Sequence, residues 1–113
     1  MSQINVITGY HAHVYYSAET KPKAEALREA LAAQFDVVLG RWHDRPVGPH
    51  PCWSYQVAFE CDQFAELIPW LSLNRAGLDV LVHPETGHAL QDHTDHAMWL
   101  GQSQKLKVDI FDA

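Results

Sequence analysis

The order in which strand-like and helix-like patterns follow one another most constrains how this chain can fold. Apolar and polar residues alternate from Tyr10 to Tyr16, as in a β-strand with one apolar face and one polar, aromatic face. Apolar residues at helical spacing follow, and Thr20 and Pro22 suit the start of a helix that we expect to run to about Gln34. These patterns predict a strand followed by a helix.

The rest of the chain continues this order. Aromatic and β-branched residues predict strands over residues 35–43, 52–60 and 78–82, and a loop with three prolines separates the first two of these. A second helix is expected between the last two strands, with Asp62 at its start and Gly77 after its end. The order predicts an α+β, ferredoxin-like βαββαβ sandwich: a four-stranded antiparallel sheet with two helices on one face.

Composition limits the classes of function. The 113 residues predict one domain spanning 1–113, and the net charge of −6 argues against a nucleic-acid partner. Apolar runs are too short to span a membrane, and no signal-peptide pattern precedes the first strand. Cys52 and Cys61 flank the third predicted strand, roughly 30 Å apart, which is too far for a disulfide. We expect a cytoplasmic protein.

The histidines are the most prominent polar feature. Four of the eight lie between residues 83 and 96, while His11 and His13 share the polar face of the first strand. We expect the first strand to run parallel to the third and antiparallel to the fourth. That arrangement would bring His11, His50 and His83 to one corner of the sheet, and the loop after His83 could add His93.

A cluster of this kind suits a metal ion. Neutral imidazoles bind iron, zinc, copper and nickel, and three of them leave coordination positions open for a substrate or dioxygen. Glu85, Asp92 and Asp95 lie nearby in the sequence, so a site with two histidines and one carboxylate is an alternative to a three-histidine site. The alternative to a metal site is that these histidines are ordinary, partly exposed residues that bind no metal.

Several separated motifs resemble the DOPA 4,5-dioxygenase family of fungi and bacteria, in the same order. They cover the chain from about Tyr10 to Gly101 and include His-Ala-His-Val-Tyr-Tyr at 11–16, Gly-Pro-His-Pro at 48–51, Leu-Asp-Val-Leu-Val-His-Pro at 78–84, Asp-His at 92–93 and Ala-Met-Trp-Leu-Gly at 97–101. The resemblance implies a ferredoxin-like homodimer. It also implies an extradiol ring-cleaving dioxygenase that uses non-haem Fe(II) to open a catechol, such as DOPA, with O2.

The resemblance also suggests roles for individual residues. It implies metal ligation by His13, His83 and His93, with His11 as the next candidate. His50 and His11 are the candidate catalytic acid–base groups, because imidazole titrates near neutral pH.

Three further residues are candidate substrate contacts. Arg45 lies in the same loop as His50 and would suit a substrate carboxylate. Tyr15 and Tyr55 are the aromatic candidates. The sequence leaves open the physiological substrate, the metal and the division of labour among the histidines.

An alternative function is a non-enzymatic, dimeric ferredoxin-like module that binds a metal or a small aromatic ligand. Such a module would bind its ligand without consuming oxygen. A purely structural subunit with surface histidines is a third possibility, for which His13→Ala and His83→Ala would change neither metal content nor ligand binding.

Overall fold

The computed structural model of the protein describes residues 6–111, which form one antiparallel sheet, two long helices and a short third helix. No helix in this part of the chain has the length and apolar composition to cross a membrane. In chain order the elements are β1 (Gly9–Tyr16), α1 (Lys21–Gln34), β2 (Val38–Leu39), β3 (Trp53–Phe59), α2 (Phe64–Asn74), β4 (Val80–Glu85), α3 (Ala89–His93) and β5 (Met98–Leu100).

The sheet has five strands in the order β2-β3-β1-β4-β5. The predicted α+β class is confirmed, but the predicted count of four strands is wrong. The additional strand, β5, pairs antiparallel with the outer side of β4 over Val80–Val82. Three residues are too few to show an alternating pattern, which is why β5 was not predicted.

The relative direction of the first and third strands also differs from the expectation. β1 runs antiparallel to both neighbours, pairing Tyr16 with Trp53 on β3 and His11 with His83 on β4. The start of β3 therefore lies beside the end of β1, not beside its start. His50, which precedes β3, must approach the other histidines from the far end of β1.

Two strands have bounds that differ from the sequence pattern. β2 is only two residues long, and pairing with β3 resumes at His43, which bridges Ser54 after one extra residue. Such a bulge is common on an edge strand. β4 extends through Pro84, which lies beyond the end of the pairing with β5, where no amide hydrogen is needed for the ladder.

One face of the sheet carries the apolar core. The alternate residues Ala12, Val14 and Tyr16 of β1 are buried there, at 5% exposure or less. Helices α1 and α2 cover this face through the stripe Ala24, Leu27 and Leu31 and through Leu67 and Leu71. Each such aliphatic side chain contributes about 1.5–3 kcal/mol when it is fully buried, so this face supplies most of the driving force for folding.

The opposite face is covered by irregular segments. The loop that contains His50, helix α3 and the C-terminal segment lie over it, and the amide of Lys107 donates to the carbonyl of Pro49 at 2.9 Å. The ring of Phe111 stacks on that of His93, with centroids 4.5 Å apart. His13, Tyr15 and His83 on this face are thus shielded from solvent without a layer of long helices.

Candidate metal centre and active site

Three histidines meet on the face of the sheet that the long helices do not cover. His11 and His13 point to this face because they are two residues apart on β1, and His83 lies directly opposite His11 on β4. One ring nitrogen from each lies within 4.8 Å of the other two. His13 and His83 are buried and His11 is half-buried, so the three form a candidate metal centre, which we call the histidine triad.

The spacing of the triad fits an ion bound between imidazoles. The Nε2 atoms of His13 and His83 are 3.0 Å apart. Two nitrogens that each lie roughly 2.1 Å from one ion are about 3.0 Å apart when they subtend an angle near 90° at the ion. The donor set, three imidazoles, suits a borderline metal such as iron or zinc. The residues present therefore fit a metal of this class.

The carboxylate of Glu85 lies close to Nδ1 of two members of the triad, His11 and His83. Its Oε1 lies 3.0 Å from Nδ1 of His11 and 3.6 Å from Nδ1 of His83, whose Nδ1 also lies 3.0 Å from the carbonyl oxygen of Pro84. These acceptors favour a proton on Nδ1 of both rings, which leaves the Nε2 lone pair for a metal. The i, i+2 spacing of His83 and Glu85 on a strand is the sequence signal for this pair.

Burial keeps the imidazoles neutral. It is the main cause that lowers the pKa of His83 to about 4, although the hydrogen bond to Pro84 opposes it. Burial, reinforced by the neighbouring His50 and His83 rings, lowers the pKa of His13 well below its usual value. The pKa of His11 is also lowered, because burial outweighs the effect of Glu85. Neutral rings have the lone pairs that metal ligation requires.

His50 reaches the triad across the sheet face. Its ring centroid lies 4.2 Å from that of His13, and its Nδ1 lies 2.7 Å from the hydroxyl oxygen of Tyr15. Burial, with repulsion from His93 and His43, lowers the pKa of His50 to about 4. His50 was expected to lie near the other histidines, and its ring does contact that of His13. It approaches from the end of β1, whereas the predicted strand directions placed it at the start of β1.

A cavity of about 210 Å³ opens beside His13 and His50. Ser54 and Gln56 line it as well, because they pair with Tyr15 and His13 across β1 and β3 and so share their face. No charged side chain lies among its described lining residues, which are His13, His43, Val47, Gly48, Pro49, His50, Ser54 and Gln56. The cavity could therefore accept a small, largely uncharged ring next to the triad.

His93, a predicted metal ligand, lies beside the triad and not within it. Its ring centroid is 4.0 Å from that of His83, while its Nδ1 lies 2.7 Å from the carbonyl of Ala89. It is absent from the group of mutually close nitrogens, where His11 takes the third place. Buried Asp92 holds the loop before α3 by accepting hydrogen bonds from the amide and hydroxyl of Thr86, and it is likewise outside the triad.

Two predicted substrate contacts lie away from the histidines. Tyr55 is fully buried on the helix-covered face, where its hydroxyl donates to the carbonyl of Ala24 at 2.9 Å, so it belongs to the apolar core instead. Arg45 is exposed and does not line the cavity beside His50. Tyr15, in contrast, faces the histidines and contacts His50.

Comparison with known proteins identifies the family. The model of the Dopa 4,5-dioxygenase family matches residues 10–110, which contain every histidine of the chain. The chain belongs to this family. The resemblance seen in the sequence motifs is thereby confirmed, and the family name points to a dioxygenase.

Individual relatives agree with this assignment. A DOPA 4,5-dioxygenase from Amanita muscaria is 33% identical over 90% of this chain, and an uncharacterised 21.2 kDa protein from Botryotinia fuckeliana is 34% identical over 89%. The chain spans 49% of the first relative's length and 62% of the second's. The crystal structure of a "putative dioxygenase" from Nostoc punctiforme PCC 73102 superimposes with a TM-score of 0.90 at 53% identity, covering 91% of this chain and 90% of that one.

Proposed function

We propose that the protein is an extradiol ring-cleaving dioxygenase that opens a catechol with O2 at a non-haem Fe(II) ion. The single observation that carries this proposal is the histidine triad, in which three imidazole nitrogens lie within 4.8 Å of one another beside a cavity. Family membership and a relative named DOPA 4,5-dioxygenase support the reaction class. DOPA is one catechol to test, alongside simpler ones.

His11, His13 and His83 would hold the ion through their Nε2 atoms. When bound, Fe(II) supplies a site at which a catechol and O2 are held together and through which electrons pass between them. Glu85 and Pro84 keep the ligand rings oriented by accepting at Nδ1. His93, whose ring contacts that of His83 with centroids 4.0 Å apart, would limit the movement of that ring.

The surrounding residues would bind and orient the substrate. A catechol ring fits a cavity of about 210 Å³, where Ser54 and Gln56 can hydrogen-bond its substituents and His50 can contact its oxygens. The segments that cover this face bury His13 and His50, and hydrogen bonds formed in such buried surroundings are stronger than in water. His50 is our candidate acid–base group, because a positioned imidazole can donate a hydrogen bond or a proton to the substrate oxygens.

Oxygen uptake by iron-loaded protein tests the proposal. Protein reconstituted anaerobically with Fe(II) should consume one O2 per catechol in an oxygen electrode and form a yellow, ring-opened product with at least one member of a catechol panel. Catechol binding without oxygen uptake would favour the alternative of a non-enzymatic binding module. His96→Ala, which removes an exposed histidine, is the matched control and should retain activity.

The resemblance also suggests a homodimer, and we propose this assembly for the chain in solution. Sedimentation equilibrium of the purified protein should give twice the mass of 12.8 kDa. A monomer across the accessible concentration range would contradict the assembly without affecting the proposed reaction.

A further inference from the structure

The hydroxyl of Tyr15 and the ring of His50 form a buried hydrogen bond beside the cavity. The hydroxyl oxygen of Tyr15 lies 2.7 Å from Nδ1 of His50, and the two residues are only 4% and 6% exposed. The two rings meet edge to face with centroids 5.5 Å apart, and Trp99 packs against the tyrosine ring at 5.9 Å. Packing of this kind leaves the tyrosine little freedom to turn away from His50.

Hydrogen-bond counting assigns the direction of this contact. A neutral imidazole has one N–H group and one lone pair, and a tyrosine hydroxyl has one proton to donate. Within residues 6–111, Nδ1 of His50 is the hydrogen-bond partner found for the Tyr15 hydroxyl. If Nδ1 of His50 carried the proton, the buried tyrosine proton would have no acceptor, which is the costlier arrangement. Tyr15 therefore donates, and Nδ1 accepts.

The second nitrogen of His50 must then carry the ring's proton. Its Nε2 has no hydrogen-bond partner among the described residues, while the ring itself lines the cavity beside His13. An N–H group in a cavity that holds no charged side chain among its described lining residues is available to a ligand oxygen.

We propose that Tyr15 is a positioning residue that fixes His50 as the Nε2–H tautomer, so that His50 presents a hydrogen-bond donor to a ligand oxygen in the cavity. The proposal rests on the proposed function, because it assigns that ligand as the catechol. It deepens that function by naming what the substrate must present to His50, namely an oxygen whose lone pair can accept a hydrogen bond.

The tautomer can be measured without any metal. Long-range ¹H–¹⁵N correlation spectra of the ¹⁵N-labelled, metal-free chain report which nitrogen of each histidine is protonated, and His50→Gln assigns the His50 signals. We expect His50 to be protonated at Nε2. Protonation at Nδ1 in the wild-type spectrum would overturn the proposal, whether or not any variant folds.

Tyr15→Phe tests the positioning role directly, because it removes the hydroxyl and keeps the ring. We expect the His50 signals to shift towards a mixture of tautomers. Tyr16→Phe is the matched control: it removes a buried hydroxyl one residue away, which contacts the carbonyl of His43 and Asp44 from the opposite face. The control should leave the His50 tautomer unchanged. An unaltered His50 spectrum in folded Tyr15→Phe would contradict the role of Tyr15.

Kinetics distinguish this proposal from the proposed reaction. In iron-loaded protein, Tyr15→Phe should lower kcat about tenfold with KM nearly unchanged, which is comparable with the smaller of the about 10–100-fold effects of removing the hydrogen-bond partner of a metal-ligating histidine. A kcat equal to that of the wild type would overturn the role of Tyr15 in turnover. If wild-type protein consumed no oxygen with any catechol, the proposed function would fail, while the metal-free spectra would still decide the tautomer.

Discussion

At the centre of β1, the side chains on the two faces of the sheet are buried to a similar extent but differ in polarity. Along β1, Ala12 and Val14 are 0% exposed beneath the helices, while His13 and Tyr15, on the other face of the same strand, are 6% and 4% exposed. The helix-covered face buries aliphatic side chains against one another. The histidine face buries imidazoles and hydroxyls beneath irregular segments.

Because of this difference, the helix-covered face mainly stabilises the fold, while the histidine face carries the residues of the candidate site. Burying an aliphatic side chain is favourable by itself, whereas burying a polar ring costs free energy unless its nitrogens find partners. On the histidine face the partners are other site residues, as for Tyr15 with His50 and Glu85 with His11. One strand can thus serve both purposes, because successive side chains point to opposite faces.

The largest expected effect of a single substitution on stability comes from the helix-covered face. Leu31→Ala removes a fully buried side chain of α1 and should lower the free energy of unfolding by about 2–5 kcal/mol, measured by urea denaturation. Leu73→Ala, at an 84% exposed position on α2, is the matched control and should change it by less than about 0.5 kcal/mol. Metal stoichiometry of the folded Leu31→Ala protein should be unchanged. Loss of metal there would show that the two faces are not independent.

The next largest effect concerns the triad. His83→Ala should weaken metal binding by about a hundred- to a thousandfold, by analogy with structural zinc sites, where a binding free energy of about 10–16 kcal/mol is shared among a few ligands. Competition with a chromogenic chelator measures the affinity. His88→Ala, at an exposed position outside the triad, should retain wild-type affinity. Equal metal affinities for His83→Ala and His88→Ala would contradict the assignment of His83 as a metal ligand.

The pH dependence of stability should also come from the histidine face. Because the folded-state pKa values of His50 and His83 are lowered to about 4, the unfolded chain takes up protons first as the pH falls. The stability of the metal-free protein should therefore decrease from about pH 6.5 towards pH 4, by about 1.4 kcal/mol per pH unit for each histidine. Urea denaturation across this range measures the slope, and His50→Gln should reduce it. A flat profile would show that these imidazoles are not held neutral.

The smallest expected effect concerns Glu85. Glu85→Gln keeps the shape of the side chain but weakens the acceptor for His11 and His83, so metal affinity should fall about tenfold. Chelator competition again measures it. Glu60→Gln makes the same change of charge at an exposed carboxylate and should have little effect. If both variants lost affinity equally, general electrostatics and not ring orientation would explain the role of Glu85.

Much of the fold followed from local patterns. The alternating pattern over β1 and the helical spacing of apolar residues over α1 predicted the positions of both elements to within about a residue, since both elements are long enough to show their period. β5 was not foreseen, and β2 is shorter than the strand predicted over residues 35–43, because two or three residues carry no periodic signal and edge pairing depends on the neighbouring strand. The same limit applies to β4, whose continuation through Pro84 depends on where β5 ends.

The candidate site divides in a similar way. The sequence by itself determined that His11 and His13 share one face of β1, opposite Ala12 and Val14, because side chains alternate along any strand. Only the tertiary structure decided that His11 joins His13 and His83 while His93 lies outside the triad, and that Tyr15 contacts His50. His13 and His83 are 70 residues apart in the chain, and their contact depends on the register of β1 with β4. Register is fixed by backbone hydrogen bonds and by burial across the whole sheet, which no local pattern contains.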